Sequence, residues 1–278
     1  MNKQDTYPDD ARKLFRKMGS CSRTFFFILN REFGHLKENE EKAADPLAGG
    51  IIQKGYQCGM LWGTSLAVGA ESHRRYSDRN QATAAAIIAT QHLMESFVNR
   101  TNSADCMDIT DCTWSSKLSI AKYFITGRFL ACFNLAQKWA PEAIRAAHEG
   151  LSACSSGIPA QSLSCASEVA RKMGASDEER ISVAGFAGGL GLSGNACGAL
   201  AAAIWLNSLS WRRENGGKSG YTNPAAMKTL ETFYETTDYE VLCQAVCGKR
   251  FETIADHSEF IGNGGCRELI ETLVRTKS

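Results

Sequence analysis

The chain predicts an all-α fold of two tandem helical-bundle modules, and three observations carry that prediction. Apolar residues recur at helical spacing along Ala-rich segments, and strand-like alternation is scarce. A phrase is repeated: residues 48–61 read AGGIIQKGYQCGML and residues 187–200 read AGGLGLSGNACGAL, aligned without a gap at an offset of 139 residues. That offset divides 278 residues into two units of ordinary domain size. The modules are read as residues 1–152 and 153–278, joined in the Ser/Gly stretch of residues 150–159.

The helices follow in order. Asp9 to about Gly34 reads as one helix carrying Leu14, Phe15, Cys21, Phe25, Phe26 and Leu29. A second begins near Gly55 and runs through Cys58 and Trp62 to about Gly69, and Gln81 to Asn99 is strongly helical. Lys117 to Ala140 reads as one long helix stopped by Pro141, which opens a short helix to Gly150. Gln161 to Gly174 follows, then Ser176 to Val183, where Ser176 and Glu179 have the spacing of a capping box. Asn195 to Trp211 repeats the helix after the first phrase. Arg213 to Asn223 is a turn-rich insert, Pro224 restarts a helix through Tyr234, Glu240 to Val246 is helical, and Arg267 to Arg275 closes the chain.

Composition narrows the function. The net charge is +1 with basic residues scattered, which gives no nucleic-acid footprint and no polybasic membrane anchor. The longest apolar run, Ala199 to Leu209, is too short for a bilayer. Met1 to Asp10 is polar, without the apolar stretch of a secretory signal, so a cytoplasmic chain is expected. The 11 cysteines are then reduced thiols, and abundant reduced thiols point to metal or redox chemistry rather than a disulfide framework.

The repeated phrase keeps its glycines and its cysteine while the residues between them change. Shared glycines mean shared backbone shape, here wrapped around a thiol. Cys197 sits at or near a helix N-terminus, where free N–H groups and the helix dipole favour thiolate. Cys243 and Cys247 are four apart and fall on one helix face. With Cys266 and Cys165 they form the candidate ligand set Cys165, Cys197, Cys243, Cys247 and Cys266. Soft sulfur donors select iron–sulfur clusters, Zn or Cu(I). In the first module Cys21, Cys58, Cys106 and Cys112 are candidates for a second site, the alternative being a degenerate structural copy in which Cys58 alone keeps a role; Cys21 is paired to Cys165 and Cys106 to Cys266. Cys132 and Cys154 are assigned to packing.

Two near-motifs are set aside. Gly189, Gly191 and Gly194 spell a dinucleotide-binding G-x-G-x-x-G, but the first copy has Ile52 at the middle glycine and no strand–helix alternation supports it. Gly217-Lys218-Ser219 lacks the leading glycine of a phosphate loop, because position 212 is Arg. No C-x-x-C-H occurs, so covalent haem is not expected.

The run from Gly185 through Cys197-Gly198-Ala199, then Cys247-Gly248-Lys249-Arg250-Phe251 and Gly264-Gly265-Cys266-Arg267, resembles a redox-active family named for a C_GCAxxG_C_C pattern, over about residues 160–275. The resemblance implies a small helical domain with redox- or metal-linked cysteines, with the first module a diverged copy. A related domain in split-Soret-type cytochromes accompanies an iron–sulfur cluster. By that analogy Cys197, Cys247 and Cys266 are ligands, with Cys243 or Cys165 as the fourth. One departure is Ala202, where the pattern has glycine.

The reading of function is a redox protein that binds an iron–sulfur cluster, [2Fe–2S], through the second module, and passes electrons to a partner protein. The alternatives are a thiol–disulfide oxidoreductase, using Cys243 with Cys247 or Cys197 with Cys266, and a zinc-stapled assembly protein or homodimer scaffold.

Overall fold

The computed structural model describes residues 10–154, 161–218 and 220–277. The polar N-terminal segment and residues 155–160 of the proposed joint lie outside them. Among the described residues the chain is helical, with one isolated antiparallel bridge between Gln57 and Asp105. The first module contains α1 (Ala11–Met18), α2 (Cys21–Glu32), α3 (Glu38–Ala43), α4 (Gly59–Arg75), α5 (Arg79–Thr101), α6 (Cys106–Thr110), α7 (Lys117–Ile125) and α8 (Phe129–Ala153). The second contains α9 (Cys165–Lys172), α10 (Asp177–Ser182), α11 (Gly198–Glu214), α12 (Pro224–Thr237), α13 (Cys243–Val246), α14 (Ile254–Gly262) and α15 (Arg267–Val274).

The repeat reaches further than the phrase. α4 and α11 are both 17 residues long and share the 139-residue offset. A short 3-10 turn precedes each phrase, Asp45–Leu47 in the first and Ala184–Phe186 in the second, at the same offset. α2 and α9 each start on a cysteine directly after a serine cap, Ser20 and Ser164. The capping box at Ser176 and Glu179 is formed, with both reciprocal hydrogen bonds in place.

α4 and α11 are buried almost all round, which an amphipathic surface helix is not. They are central because the modules interlock. α10 of the second module packs on α4, and α3 of the first packs on α11. Trp205 donates its indole N–H to the Glu40 carbonyl at 3.1 Å. Trp62 meets Phe186 edge to face at 4.8 Å. The Tyr56 and Tyr234 hydroxyls share a hydrogen bond of 2.6 Å. One apolar core therefore runs through both repeats.

Several expected boundaries are corrected. The helix expected over Asp9 to Gly34 is two, because Gly19 takes φ 77 and Ser20 then caps α2, its hydroxyl accepting from the Arg23 amide. The helix expected over Lys117 to Ala140 breaks at Gly127, φ 70. Pro141 does not stop α8, which runs through it to Ala153. The lost amide hydrogen bond is outweighed by burial of Trp139, Ala140, Ala143 and Ala147 on either side of it. α3 and α14 lie where the sequence reading placed no helix. α4 begins four residues later than expected, because the residues before it are held in a different helical sense.

Candidate thiol centres

The glycines of the repeated phrase set that sense. Five consecutive residues, Gly49 to Gln53, take φ of 66, 71, 60, 49 and 55, and Gly188 to Leu192 take 56, 85, 70, 58 and 65. This is a left-handed turn, which costs an L-residue roughly 1–2 kcal/mol. It is least suited to the β-branched Ile51 and Ile52. Burial anchors it, since Ile51, Ile52, Leu190 and Leu192 are all in the core. Closing hydrogen bonds return from Gly55 to the Gly49 carbonyl at 3.0 Å and from Gly194 to the Gly188 carbonyl at 2.9 Å. The turn aims amides at sulfur: the Gly49 N–H donates to Cys21 and the Gly188 N–H to Cys165. These glycines thus belong to a sulfur-binding turn, not to a dinucleotide loop.

The next step is the Cys-Gly junction. Cys58 and Cys197 are the residues just before α4 and α11, whereas the helices expected to start near Gly55 and Asn195 include them. A Cβ on Gly198 would overlap the Phe186 carbonyl oxygen, and one on Gly59 would sit 2.6 Å from the Cys21 sulfur. Only glycine lets the helix start that close to the turn.

In the second module Cys165, Cys197, Cys243, Cys247 and Cys266 line one space, together with His257 and Phe260. The Cys243 and Cys247 sulfurs are 3.7 Å apart, and Cys247 and Cys266 are 3.4 Å apart. The sequence-derived set is therefore brought together. Cys165, Cys197 and Cys243 are buried, whereas Cys247 and Cys266 are partly exposed. Cys266 holds φ 56, outside the usual range for a non-glycine residue. The cavity left between these groups is about 10 Å³, the room of a single water. Among the described residues no group of three or more His, Cys, Asp or Glu side chains is placed to hold a metal ion as it stands.

The electrostatics are uniform. Burial pushes Cys165 up to about 12. Burial and the neighbouring sulfurs raise Cys197 well above the ordinary thiol range. The hydrogen bond to Cys243 takes Cys247 to about 12, and that to Cys247 raises Cys266. For Cys243 the bond from Cys247 pulls down, but burial and its neighbours leave it raised. The thiolate expected from the helix N-terminus at Cys197 is thus not what the surroundings favour, because loss of solvent and crowding of like charge outweigh the dipole. His257, against this centre, is pushed down to about 4 by burial, and its Nδ1 lies 3.0 Å from the Leu163 carbonyl.

The first module gathers Cys21, Cys58, Cys106 and Cys132 around a larger cavity. Cys112 is buried apart from it, taking a hydrogen bond from the Ser119 hydroxyl at 3.8 Å. Cys132, assigned to packing, lines the cavity in its stead and lies 3.5 Å from the Tyr123 hydroxyl. The pairing of Cys106 with Cys266 is also corrected. Met107 donates to the Gly55 carbonyl at 3.0 Å, and Gln244 donates to the Gly194 carbonyl at 3.1 Å. Since Gly55 and Gly194 are equivalent, Cys106 matches Cys243 and Thr110 stands where the second module has Cys247. The Gly49 and Gly188 amides support the pairing of Cys21 with Cys165. The Cys58 thiol bonds to Cys21, lowering Cys21 and raising itself. Cys154 lies elsewhere, 3.8 Å from the Gln81 carbonyl.

Spacing could not have found Cys132, Thr110 or His257, since each reaches its centre through helices that only tertiary packing brings back. No helix among the described residues is long and apolar enough to cross a membrane.

Fold and sulfur geometry define a helical, cysteine-centred protein. The family described as "Putative redox-active protein (C_GCAxxG_C_C)" matches residues 20–143 and again residues 160–277. The chain belongs to this family and carries its domain twice. No curated protein and no solved structure matches it.

Proposed function

We propose that the second-module centre holds an iron–sulfur cluster, of the [2Fe–2S] type, and that the protein carries electrons to a partner protein. One observation carries the reading: five thiols line a single buried space, with successive sulfurs 3.7 and 3.4 Å apart. The donor chemistry fits. These are soft ligands with no cation among them, and each thiol titrates high because it is buried among other sulfurs. A bound cationic cluster relieves that crowding by taking up the negative charge of the thiolates.

Cys197, Cys247 and Cys266 would hold the group, with Cys243 or Cys165 as the fourth ligand. When bound, it supplies one-electron chemistry. The chain's own part is to shield it, to direct amides such as that of Gly188 at sulfur, and to leave Cys247 and Cys266 as its partly exposed edge. That edge is where a partner docks. The space is closed as it stands, so loading requires the sulfurs to spread.

Thiol–disulfide exchange fits less well, because it needs a thiolate near ambient pH, and even the partly exposed Cys247 and Cys266 are pushed above the ordinary thiol range. A zinc staple fits the sulfur spacing, since Zn–S bonds of about 2.3 Å in a tetrahedron put sulfurs about 3.8 Å apart. Anaerobic purification followed by iron, acid-labile sulfide and zinc analysis with a visible spectrum decides. Iron and sulfide in equal amounts with visible absorption support the cluster. One zinc per chain without colour replaces it with the structural reading.

A further inference from the structure

The two centres differ most in the space beside the sulfurs. In the first module that space is about 310 Å³, against about 10 Å³ in the second. The second is filled by Val246, Phe260 and Ile261 from α13 and α14. The first is walled by aromatic side chains of α7 and α8, among them Tyr123, Phe124, Phe129 and Phe133, with Trp114 ahead of them and Tyr221 from the second module. Divergence of the two copies has closed one chamber and opened the other.

The lining specifies an occupant. Among the described residues not one charged side chain faces the chamber, so an ion brought into it would lose its hydration without a counter-charge. Its size is at the lower end of small-molecule sites and well beyond one water. Its walls offer water few partners: the Tyr221 hydroxyl is committed to the Gly19 carbonyl, the Thr110 hydroxyl to the Cys106 carbonyl and the Tyr123 hydroxyl to the Cys132 sulfur, which leaves the amide of the exposed Gln53. Aromatic edges and faces favour a planar partner, and thiol sulfur packs well against rings. The Trp114 indole N–H has no nitrogen or oxygen partner and is directed at the Cys106 sulfur, so the thiol wall is itself oriented by a ring.

We propose that the first-module chamber is a binding site for a neutral aromatic molecule of one to three rings, held between the α7–α8 aromatics and the thiols of Cys21, Cys58, Cys106 and Cys132. The site is reversible and non-covalent. It is independent of what the second-module centre holds.

The test titrates the full chain with N-phenyl-1-naphthylamine, a neutral fluorophore, before and after chelation of any metal. Saturable enhancement at one equivalent is expected, competed by indole and not by 1-naphthoate. Phe124→Ala removes a wall residue that is 57% exposed and leaves the fold intact by circular dichroism. It should weaken binding about tenfold. Ile109→Trp, which fills the chamber, should weaken it further. Binding without saturation, equal competition by the carboxylate, or affinity unchanged in both variants would overturn the proposal.

Discussion

The two sulfur centres share a backbone and differ in what surrounds it. Both use a left-handed turn, an amide on the first cysteine, and a Cys-Gly junction into a buried helix of 17 residues. Beyond the helix that follows, they part. The second module adds Cys247 and closes over its five thiols with Phe260 and His257. The first has Thr110 at that position and opens into an aromatic chamber. Duplication has preserved the part fixed by backbone conformation and close approach, where side-chain change is costly. It has released the part made by peripheral helices, where packing tolerates substitution. The difference matches the two proposals made above, electron-carrying sulfur chemistry for the closed centre and guest binding for the open one.

The largest effect should come from the shared junction. Gly198→Ala drives a methyl into overlap with the Phe186 carbonyl oxygen, whereas Gly59→Ala meets first the Cys21 sulfur at 2.6 Å and then backbone at 2.9 Å or beyond. Gly198→Ala should cost about 3 kcal/mol or more and Gly59→Ala less, by comparison with other overpacked sites. Thermal unfolding of both variants checks the order; equal losses would mean that the two junctions are not differently constrained.

Next is the division of labour. Cys266→Ser should remove most of the bound iron and the visible absorption, while Cys132→Ser should leave at least half of each. Iron and sulfide assay of the pair reads this directly. Iron retained in Cys266→Ser and lost in Cys132→Ser would reverse the assignment of the two centres.

Thr110→Cys restores to the first module the thiol it lacks. The new sulfur should lie beside Cys106 as Cys247 lies beside Cys243, and, because burial holds Cys106 above the ordinary thiol range, prolonged oxidation at alkaline pH should link the two. Peptide mapping after thiol trapping should find a 106–110 disulfide in the variant. Finding the new thiol unlinked and freely alkylated would show that α6 does not mirror α13.

The smallest effect concerns the turn. Gln53 is exposed at φ 55, while its equivalent Leu192 is buried at φ 65. Gln53→Gly relieves left-handed strain of roughly 1–2 kcal/mol and loses no core contact, though glycine loses more entropy on folding. It should stabilise by up to about 1 kcal/mol. Leu192→Gly should destabilise, because the lost burial outweighs the relief. Chemical denaturation of both tests the sign of each.

Much of this was legible in the sequence, and the residues say why. Glycine is retained for backbone reasons, so the repeated phrase exposed the duplication, the turn and the Cys-Gly junction. Helical periodicity gave the all-α class, and the Ser176 cap gave the start of α10, whereas α9 begins at Cys165 rather than at the expected Gln161. The cysteines at 165, 197, 243, 247 and 266 stood out by number and by their place in the repeat. Cys132 did not, because nothing in its own helix distinguishes a packing thiol from one that lines a chamber. Pro141 misled because proline reports a local cost, and the buried residues around it offset that cost.

By itself, the order of residues determined what is local: helical periodicity, caps, the glycine-bearing turns and the duplication that links two of them. The fold alone decided what depends on distant segments meeting. It interlocked the modules through α3 and α10, exchanged Cys112 for Cys132, matched Cys106 with Cys243, and made one centre tight and the other hollow. The physical reason is that conformational preference acts over a few neighbouring residues, whereas cavities and sulfur–sulfur contacts depend on how whole helices fill space.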